Sequence, residues 1–84
     1  MIELLYFAWV RERVGKDGER IELPNGVFSV VGLLDWLATR GDGYASALND
    51  RARLRVAVNQ AFAGIDAPIR AGDEVAIFPP VTGG

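Results

Sequence analysis

The fold is decided by residues 74–84, which read Glu74-Val75-Ala76-Ile77-Phe78-Pro79-Pro80-Val81-Thr82-Gly83-Gly84. The first five have the apolar alternation of a strand that is covered on both faces, as a central strand is. Proline has no N–H and a φ fixed near −65°, so two prolines cannot continue such a strand. The chain is therefore predicted to leave the sheet at Pro79. Extended over residues 79–84, at about 3.3 Å each, it reaches roughly 20 Å.

The composition indicates one small domain with a hydrophobic core, because the 84 residues are 50% apolar. The chain has no cysteine and no histidine. This removes disulfides, thiolate nucleophiles and the commonest neutral-pH base and metal ligand, so we expect no metal site. A net charge of −2 argues against non-specific nucleic-acid binding. The longest apolar run is too short for a membrane span and no signal-peptide pattern is present, so we expect a cytoplasmic protein.

Two strands are predicted in the N-terminal part, over Ile2–Trp9 and Glu19–Leu23, paired as a hairpin with a wide loop. A short helical turn over residues 10–14, ended by Gly15, is expected inside that loop. Both faces of the first strand are mostly apolar. It is therefore either central and covered on both sides, or its outer face is a binding surface.

One main helix is predicted from Val30 to Arg40, with Ser29 as its N-cap and Gly41 as the residue that ends it. The apolar positions have the spacing i, i+3, i+4 and i+7, which makes one buried stripe of Val30, Leu33, Leu34 and Leu37. A further short helical turn is expected over residues 44–49.

The remaining segments complete a sheet. Alternation over residues 54–58 predicts a half-buried strand, Asn59-Gln60 a turn, and residues 61–63 a short return strand. The whole order predicts an α+β, β-grasp (ubiquitin-like) fold, a mixed sheet of about four to five strands with one main helix packed on one face. Its first and last strands run parallel at the centre, as the right-handed crossover rule allows. We therefore expect a β-grasp domain over residues 1–78 and an extended tail over 79–84.

Three phenylalanines are predicted on the sheet face that the helix leaves open. Alternation places Phe7 and Phe78 on the outer face of adjacent central strands, and Phe62 follows the third long strand. Such an exposed apolar patch usually marks a partner surface. The alternative is ordinary core packing, under a different assignment of the faces. Three arginines either pair with an acidic partner or form a solvated surface, namely Arg11, Arg53 and Arg55.

Three segments carry a family resemblance: Ile2…Phe7-Ala8 followed by Val10-Arg11-Glu12; Ala57-Val58-Asn59-Gln60; and the ending from Gly72-Asp73 through Phe78-Pro79-Pro80 to Gly83-Gly84. The third is highly specific as a block. With these segments the chain resembles the small sulfur-carrier subunits of molybdopterin synthase over nearly its whole length, least across residues 42–53. Related carriers, such as the thiamin sulfur carrier, share the terminal Gly-Gly but are usually shorter and lack the Pro-Pro.

The resemblance implies a sulfur chemistry at the terminal glycine, which is Gly84 here, preceded by Gly83. A ubiquitin-activating-type adenylyltransferase adenylates it with ATP and magnesium, and a sulfur donor then converts it to a thiocarboxylate. The chain itself is implied to bind no cofactor and to have no activity alone. The tail then enters the large synthase subunit, in a heterotetramer, and donates sulfur to cyclic pyranopterin monophosphate. Residues implied to contact that partner are Phe7, Phe62, Phe78, Pro79, Pro80, Val81 and Thr82.

The residue chemistry supports a role for the tail independently. Glycine has no Cβ, so a Gly-Gly backbone can pass through a narrow slot to a reactive centre. Prolines reduce the entropy that the tail loses on binding. With no cysteine or histidine in the chain, the carboxylate of Gly84 is the remaining candidate. Three alternatives stay open: a sulfur carrier for thiamin or tRNA thiolation, a ubiquitin-like modifier that forms an isopeptide bond, and an interaction domain with an idle tail.

Overall fold

The structure, a computed structural model, describes residues 1–80. The predictions made for Val81, Thr82, Gly83 and Gly84 lie outside the described residues. Within 1–80 the elements are, in chain order, β1 Ile2–Tyr6, α1 Ala8–Val14, β2 Gly18–Ile21, α2 Val30–Ala38, α3 Asp42–Leu48, a 3-10 helix Arg51–Arg53, β3 Arg55–Val58, β4 Ala61–Ala63 and β5 Glu74–Phe78.

The strands form one mixed sheet in the order β2-β1-β5-β3-β4. Strands β1 and β5 are parallel, with Leu4 opposite Val75 and Tyr6 opposite Ile77. The other neighbouring pairs are antiparallel. Val75 and Ile77 of the central strand β5 are fully buried. The predicted parallel pairing of the first and last strands, and with it the β-grasp fold, is confirmed.

The helices cover one face of this sheet and leave the other open. The N-cap Ser29 accepts a hydrogen bond at its Oγ from the backbone N–H of Gly32, over 3.2 Å, which satisfies one of the free donors of the first turn of α2. The predicted apolar stripe of α2 is completely buried. It joins the inner side chains of β1 and β5 in one hydrophobic core, through Val30, Leu33, Leu34 and Leu37.

The first strand is shorter than the sequence predicted. It ends at Tyr6 instead of Trp9, because the extended Phe7 acts as the N-cap of α1 and Ala8 turns the chain with a φ of 53°. Trp9 therefore lies on α1 and packs against the core from there. The helix ends where predicted, since Gly15 adopts a φ of 93° and its N–H bonds to the carbonyl of Arg11.

The main helix is also shorter than predicted, ending at Ala38 instead of Arg40. The N–H groups of Thr39 and Arg40 bond to carbonyls only three residues back, so the last turn tightens and the helix stops. Gly41 is the N-cap of α3 and not the residue that ends α2. The short helical turn predicted over residues 44–49 corresponds to α3, which begins two residues earlier and ends at Leu48, with Asn49 as its C-cap.

A single carboxylate, that of Glu19, ties the edge strand β2 to the rest of the domain. Its Oε2 accepts hydrogen bonds from the hydroxyls of Tyr6, at 2.8 Å, and Tyr44, at 2.6 Å. Its Oε1 lies 2.9 Å from Nη1 of Arg40 and 3.5 Å from Nζ of Lys16. One side chain of β2 thereby connects β1, α3 and the segment after α2.

The ionised form of Glu19 is the form that stabilises the fold. Burial alone would raise the pKa of this carboxyl group. Hydrogen bonds from Tyr44, Tyr6 and Arg40 outweigh burial and lower the pKa of Glu19 to about 2. Burial first, and then the bond to Glu19, raise the pKa of Tyr6, which keeps its hydroxyl a donor.

We predict that Glu19→Gln lowers the free energy of unfolding by about 2–3 kcal/mol, because hydrogen bonds to a charged group are worth about 1.5–3 kcal/mol each. The control is Glu22→Gln, an exposed acid just beyond β2, where about 0.5 kcal/mol or less is expected. Urea denaturation at pH 7 measures both. Equal losses for the two variants would contradict the structural role of Glu19.

We also predict an acid-dependent loss of stability that comes from Glu19. Its pKa is lower in the folded state, at about 2, than in the unfolded chain, so the unfolded state binds more protons between about pH 5 and pH 2. The contribution of Glu19 is therefore fully present above pH 5 and is lost as the pH falls through this window, by about 3 kcal/mol. The free energy of unfolding, measured at several pH values, should depend less on pH between pH 5 and pH 2 in Glu19→Gln than in the wild type. The same pH dependence in both proteins would refute the assignment.

Candidate functional site

The open face of the sheet carries an apolar row that runs across four strands. Backbone pairing sets Leu5 beside Ala76, Ala76 beside Ala57, and Ala57 beside Phe62. Alternation sends these side chains away from the helices, because their neighbours along each strand are the core residues. The row is half-buried up to Phe62, whose side chain is 85% exposed. This face is thus an apolar surface without a covering layer among residues 1–80.

The three phenylalanines that the sequence singled out lie at one end of this face, and together we call them the aromatic patch: Phe7, Phe62 and Phe78. The rings of Phe62 and Phe78 are in contact, with centroids 6.0 Å apart. Phe7 is 46% exposed, and its N–H donates to the carbonyl of Ile77 over 3.2 Å. That bond places Phe7 beside Phe78 where the two parallel strands end. All three side chains lie outside the core.

A groove of about 310 Å³ opens between β3, β4 and β5, and it is lined by Arg55, Val56, Phe62, Ala63 and Phe78. Phe62 and Phe78 are the two aromatic residues in this lining. The guanidinium group of Arg55 borders it and donates to the carbonyl of Leu54 at 2.8 Å. A groove of this kind suits an apolar side chain of a partner protein.

The chain leaves the sheet at this patch. Strand β5 ends at Phe78, and Pro79 and Pro80 follow it, half-buried and outside any strand. The missing proline N–H groups explain the end of the strand. Phe78 is therefore both the last residue of the central strand and a member of the aromatic patch. The roles predicted for Val81–Gly84 stay predictions, because these residues lie outside the described range.

One turn fixes the relative positions of Phe62 and Phe78. Asn59 and Gln60 have φ values of 51° and 70°, the left-handed pair that a tight two-residue hairpin turn requires. The side-chain amide of Asn59 donates from Nδ2 to Asp73 Oδ1 and accepts at Oδ1 from the backbone N–H of Glu74, both over 3.0 Å. The β3–β4 hairpin is thereby tied to the start of β5. The hydrogen bond from Asn59, and then that from the N–H of Arg70, lower the pKa of Asp73.

A second cluster lies beside the patch, and sequence reasoning missed it. The indole ring of Trp9 lies under two guanidinium groups, with Cζ of Arg13 4.6 Å and Cζ of Arg53 5.1 Å from its centroid. Placing Trp9 on the first strand concealed this arrangement. The i, i+4 spacing of Trp9 and Arg13 on a helix is the signal that points to it.

Within residues 1–80, no group of acidic side chains could hold a metal ion. No helix in this range has the length and apolar character needed to cross a membrane. The carboxyl groups with shifted pKa values, Glu19 and Asp73, both hold structural elements together. The described residues also present an exposed apolar face next to Pro79, where the chain leaves the sheet.

Comparison with known proteins extends over the whole chain. The model of the ThiS family matches residues 4–84. The molybdopterin synthase sulfur carrier subunit of Escherichia coli (strain K12) is 45% identical over 86 residues, covering 100% of both chains. That of Haemophilus influenzae is 39% identical over 84 residues, again covering 100% of both. Among solved structures, SAMP1 from Haloferax volcanii has a TM-score of 0.72 and 32% identity, covering 99% of this chain and 98% of that chain.

These matches confirm the resemblance that the opening segment, the Ala57-Val58-Asn59-Gln60 segment and the Gly-Gly ending suggested, since the alignments include all three. The fold agrees as well, because the similar structure superposes over nearly the full length of both chains. The chain belongs to the ThiS family and, within it, to the molybdopterin synthase sulfur carrier subunits.

Proposed function

We propose that this chain carries sulfur on the carboxyl group of Gly84 and, as a subunit of molybdopterin synthase, donates it to cyclic pyranopterin monophosphate. The observation that carries the proposal is the 45% identity, over all of both chains, to a molybdopterin synthase sulfur carrier subunit. The family match extends to residue 84, so it includes the Gly83-Gly84 pair. Residues 1–78 then form the docking domain, and residues 79–84 form the extended tail.

Activation starts at the carboxylate of Gly84. One of its oxygens attacks the α-phosphorus of ATP, bound with magnesium on a ubiquitin-activating-type adenylyltransferase, and pyrophosphate leaves. A sulfide-level donor then attacks the acyl carbon. The bond from that carbon to AMP breaks, and the tail is left as a thiocarboxylate. ATP and magnesium belong to the activating partner, and this chain binds no cofactor of its own. Because activation consumes ATP, we place the protein in the cytoplasm.

The transfer step takes place in the large subunit. The thiocarboxylate sulfur attacks a carbon of the substrate, and the carbon–oxygen bond at that carbon breaks, its oxygen leaving as water or staying on the phosphate. Water then cleaves the bond between the sulfur and the acyl carbon, which leaves the sulfur on the substrate and restores the carboxylate of Gly84. Glycines suit this path, because a chain without Cβ atoms can approach a bound substrate closely. The catalytic acids and bases come from the partner, so we expect no turnover from this chain alone. Two small and two large subunits form the proposed heterotetramer.

The aromatic patch is the proposed contact with the large subunit. Phe62 exposes 85% of its side chain in the free domain, and Phe7 exposes 46%. Burial of such rings in a partner's pockets supplies much of the binding free energy of protein interfaces. Phe78 contacts Phe62 and precedes Pro79 directly. Docking of the patch and insertion of the tail are therefore one event.

A protein modifier is the second candidate, and one observation favours it. SAMP1 of Haloferax volcanii, a small archaeal modifier protein, is 32% identical to this chain. In this alternative the same Gly84 adenylate is attacked by a lysine amine of a target protein, AMP leaves, and an isopeptide bond forms. The two candidates share the activation step and differ in the nucleophile that follows it.

We predict that incubation with the activating enzyme, ATP, magnesium and a sulfide donor replaces one oxygen of Gly84 by sulfur, as read by intact-mass and fragment-mass spectrometry. Deletion of Gly84 abolishes the exchange, and Gly83→Val reduces it strongly, because a β-branched side chain blocks a narrow slot. Both variants should melt within about 1 °C of the wild type, since no core residue changes.

The control for the mass experiment is Glu22→Gln, beyond β2 at the opposite end of the sheet from Pro79. It should be activated at the wild-type rate. A tail that remains a plain carboxylate with every component present would overturn the sulfur-carrier proposal. Adducts between Gly84 and lysines of other proteins would select the modifier instead.

We predict that Phe62→Ser weakens binding to the large subunit by about 2 kcal/mol, roughly thirtyfold in Kd, as loss of an interface aromatic residue does. The matched control is Phe28→Ser, since Phe28 is 70% exposed but lies before α2 and outside the five strands. Isothermal titration calorimetry measures both affinities. Unfolding should change by less than about 0.5 kcal/mol in each variant. Equal affinities for the two variants would contradict the assigned docking face.

A further inference from the structure

Three exposed arginines near the aromatic patch have no ion-pair partner within residues 1–80, namely Arg13, Arg53 and Arg55. Of the nine basic residues in the chain, four form ion pairs with Asp17, Glu19 or Asp35. Arg20 and Arg70 also form no ion pair within residues 1–80, but they lie at the other end of the sheet, where Arg20 is opposite Glu3 in the β1–β2 register and the backbone N–H of Arg70 donates to the Asp73 carboxylate. Of the five arginines without an ion pair in this range, three therefore lie towards the aromatic patch.

Trp9 holds two of these arginines together. The guanidinium groups of Arg13 and Arg53 lie over the same indole ring, at 4.6 and 5.1 Å from its centroid. They come from different elements, α1 and the 3-10 helix. Since both lie over one ring, their separation is within a Debye length of about 10 Å at 0.1 M salt. They therefore act as one positive surface.

This positive surface is continuous with the aromatic patch. Arg55 lies opposite Phe78 in the β3–β5 pairing and borders the groove that Phe78 and Phe62 line. Arg53 ends the 3-10 helix two residues before Arg55, which begins β3. Trp9 follows Phe7 by two residues at the N-terminus of α1. The cluster thus borders the patch where Pro79 begins the tail.

The close placement of these arginines costs stability in the free domain. Contacts with Trp9 and with backbone carbonyls nevertheless restrain their side chains. Like charges this close repel each other, and the chain as a whole has a net charge of −2. Stacking on the indole offsets part of the repulsion. Arg13 donates to the carbonyl of Ser46 at 3.2 Å, and Arg55 to that of Leu54 at 2.8 Å. These contacts restrain the side chains of Arg13 and Arg55 before binding, so part of their side-chain entropy is already lost, and guanidinium N–H groups remain for further acceptors.

We infer that Trp9, Arg13, Arg53 and Arg55 form a cationic rim that docks a carboxylate-bearing segment of the protein that covers the aromatic patch. The inference rests on the proposed function, in which that protein is the large synthase subunit. Aspartate or glutamate side chains match the planar donor fork of arginine, and their charge complements the rim. The rim steers the encounter and orients the domain before the patch is buried, so it acts mainly on the association rate.

The test measures association with the large subunit by stopped-flow fluorescence at 50 and 500 mM NaCl. The rim variant is Arg13→Gln/Arg53→Gln in the full-length chain. The matched control is Arg20→Gln/Arg70→Gln, which makes the same change in net charge at the other end of the sheet. We expect about a tenfold lower kon at 50 mM salt for the rim variant, a smaller salt dependence, and a nearly unchanged koff. The control should change kon less than about twofold.

A second variant separates charge from packing. Arg13→Lys/Arg53→Lys keeps both charges and loses the planar stacking groups, so we expect it to retain most of the wild-type kon and its salt dependence. Equal decreases in kon for the rim and control variants would mean that only the net charge of the chain matters, and would overturn the inference. So would a rim variant that slows only its activation by the adenylyltransferase. If the wild type binds and the rim variant binds with the same kinetics, only the rim is refuted. If the wild type does not bind at all, the proposed function is refuted as well.

Discussion

The parallel pairing of β1 with β5 is the constraint on which the rest of the structure depends. It places the N-terminal strand beside the last strand, with Tyr6 opposite Ile77. Because parallel strands end at the same edge of a sheet, Phe7 and Phe78 reach the surface side by side. The prolines then take the chain out of the sheet at that point. One pairing thus brings together the proposed docking face, the point where the chain leaves the sheet and the start of α1.

The two faces of this sheet have different roles: the inner face stabilises the fold, and the outer face is the one proposed to bind a partner. The inner face buries the apolar stripe of α2 against β1 and β5, and the Glu19 network attaches the edge strand to the helices. The outer face has no such layer among residues 1–80, and Phe62 is almost fully exposed there. The exposed outer face does not stabilise the isolated domain. A subunit that buries its outer face in a partner gains binding free energy from the same side chains.

The sequence predicted those features that depend on local periodicity. Alternation in residues 74–78 predicted β5 to the residue, and the spacing from Val30 to Leu37 predicted the buried face of α2. The end of β1 was not predictable in this way. Phe7, Ala8 and Trp9 continue its apolar pattern, and only the positive φ of Ala8 breaks the strand. The Glu19 network and the contact of Arg53 with Trp9 join residues far apart in the chain, which no local pattern can indicate. The role of Gly84 came from the Gly-Gly ending and the family resemblance.

The central claim is that this chain is the sulfur source for a dithiolene, and a single-turnover transfer experiment tests it most directly. Thiocarboxylated chain is mixed with the large subunit and cyclic pyranopterin monophosphate, without activating enzyme, and the products are quantified by mass spectrometry. A dithiolene contains two sulfur atoms, so the account predicts two thiocarboxylates converted to carboxylates for each molybdopterin formed. Molybdopterin formed without loss of sulfur from Gly84, or sulfur lost without any molybdopterin, would contradict it.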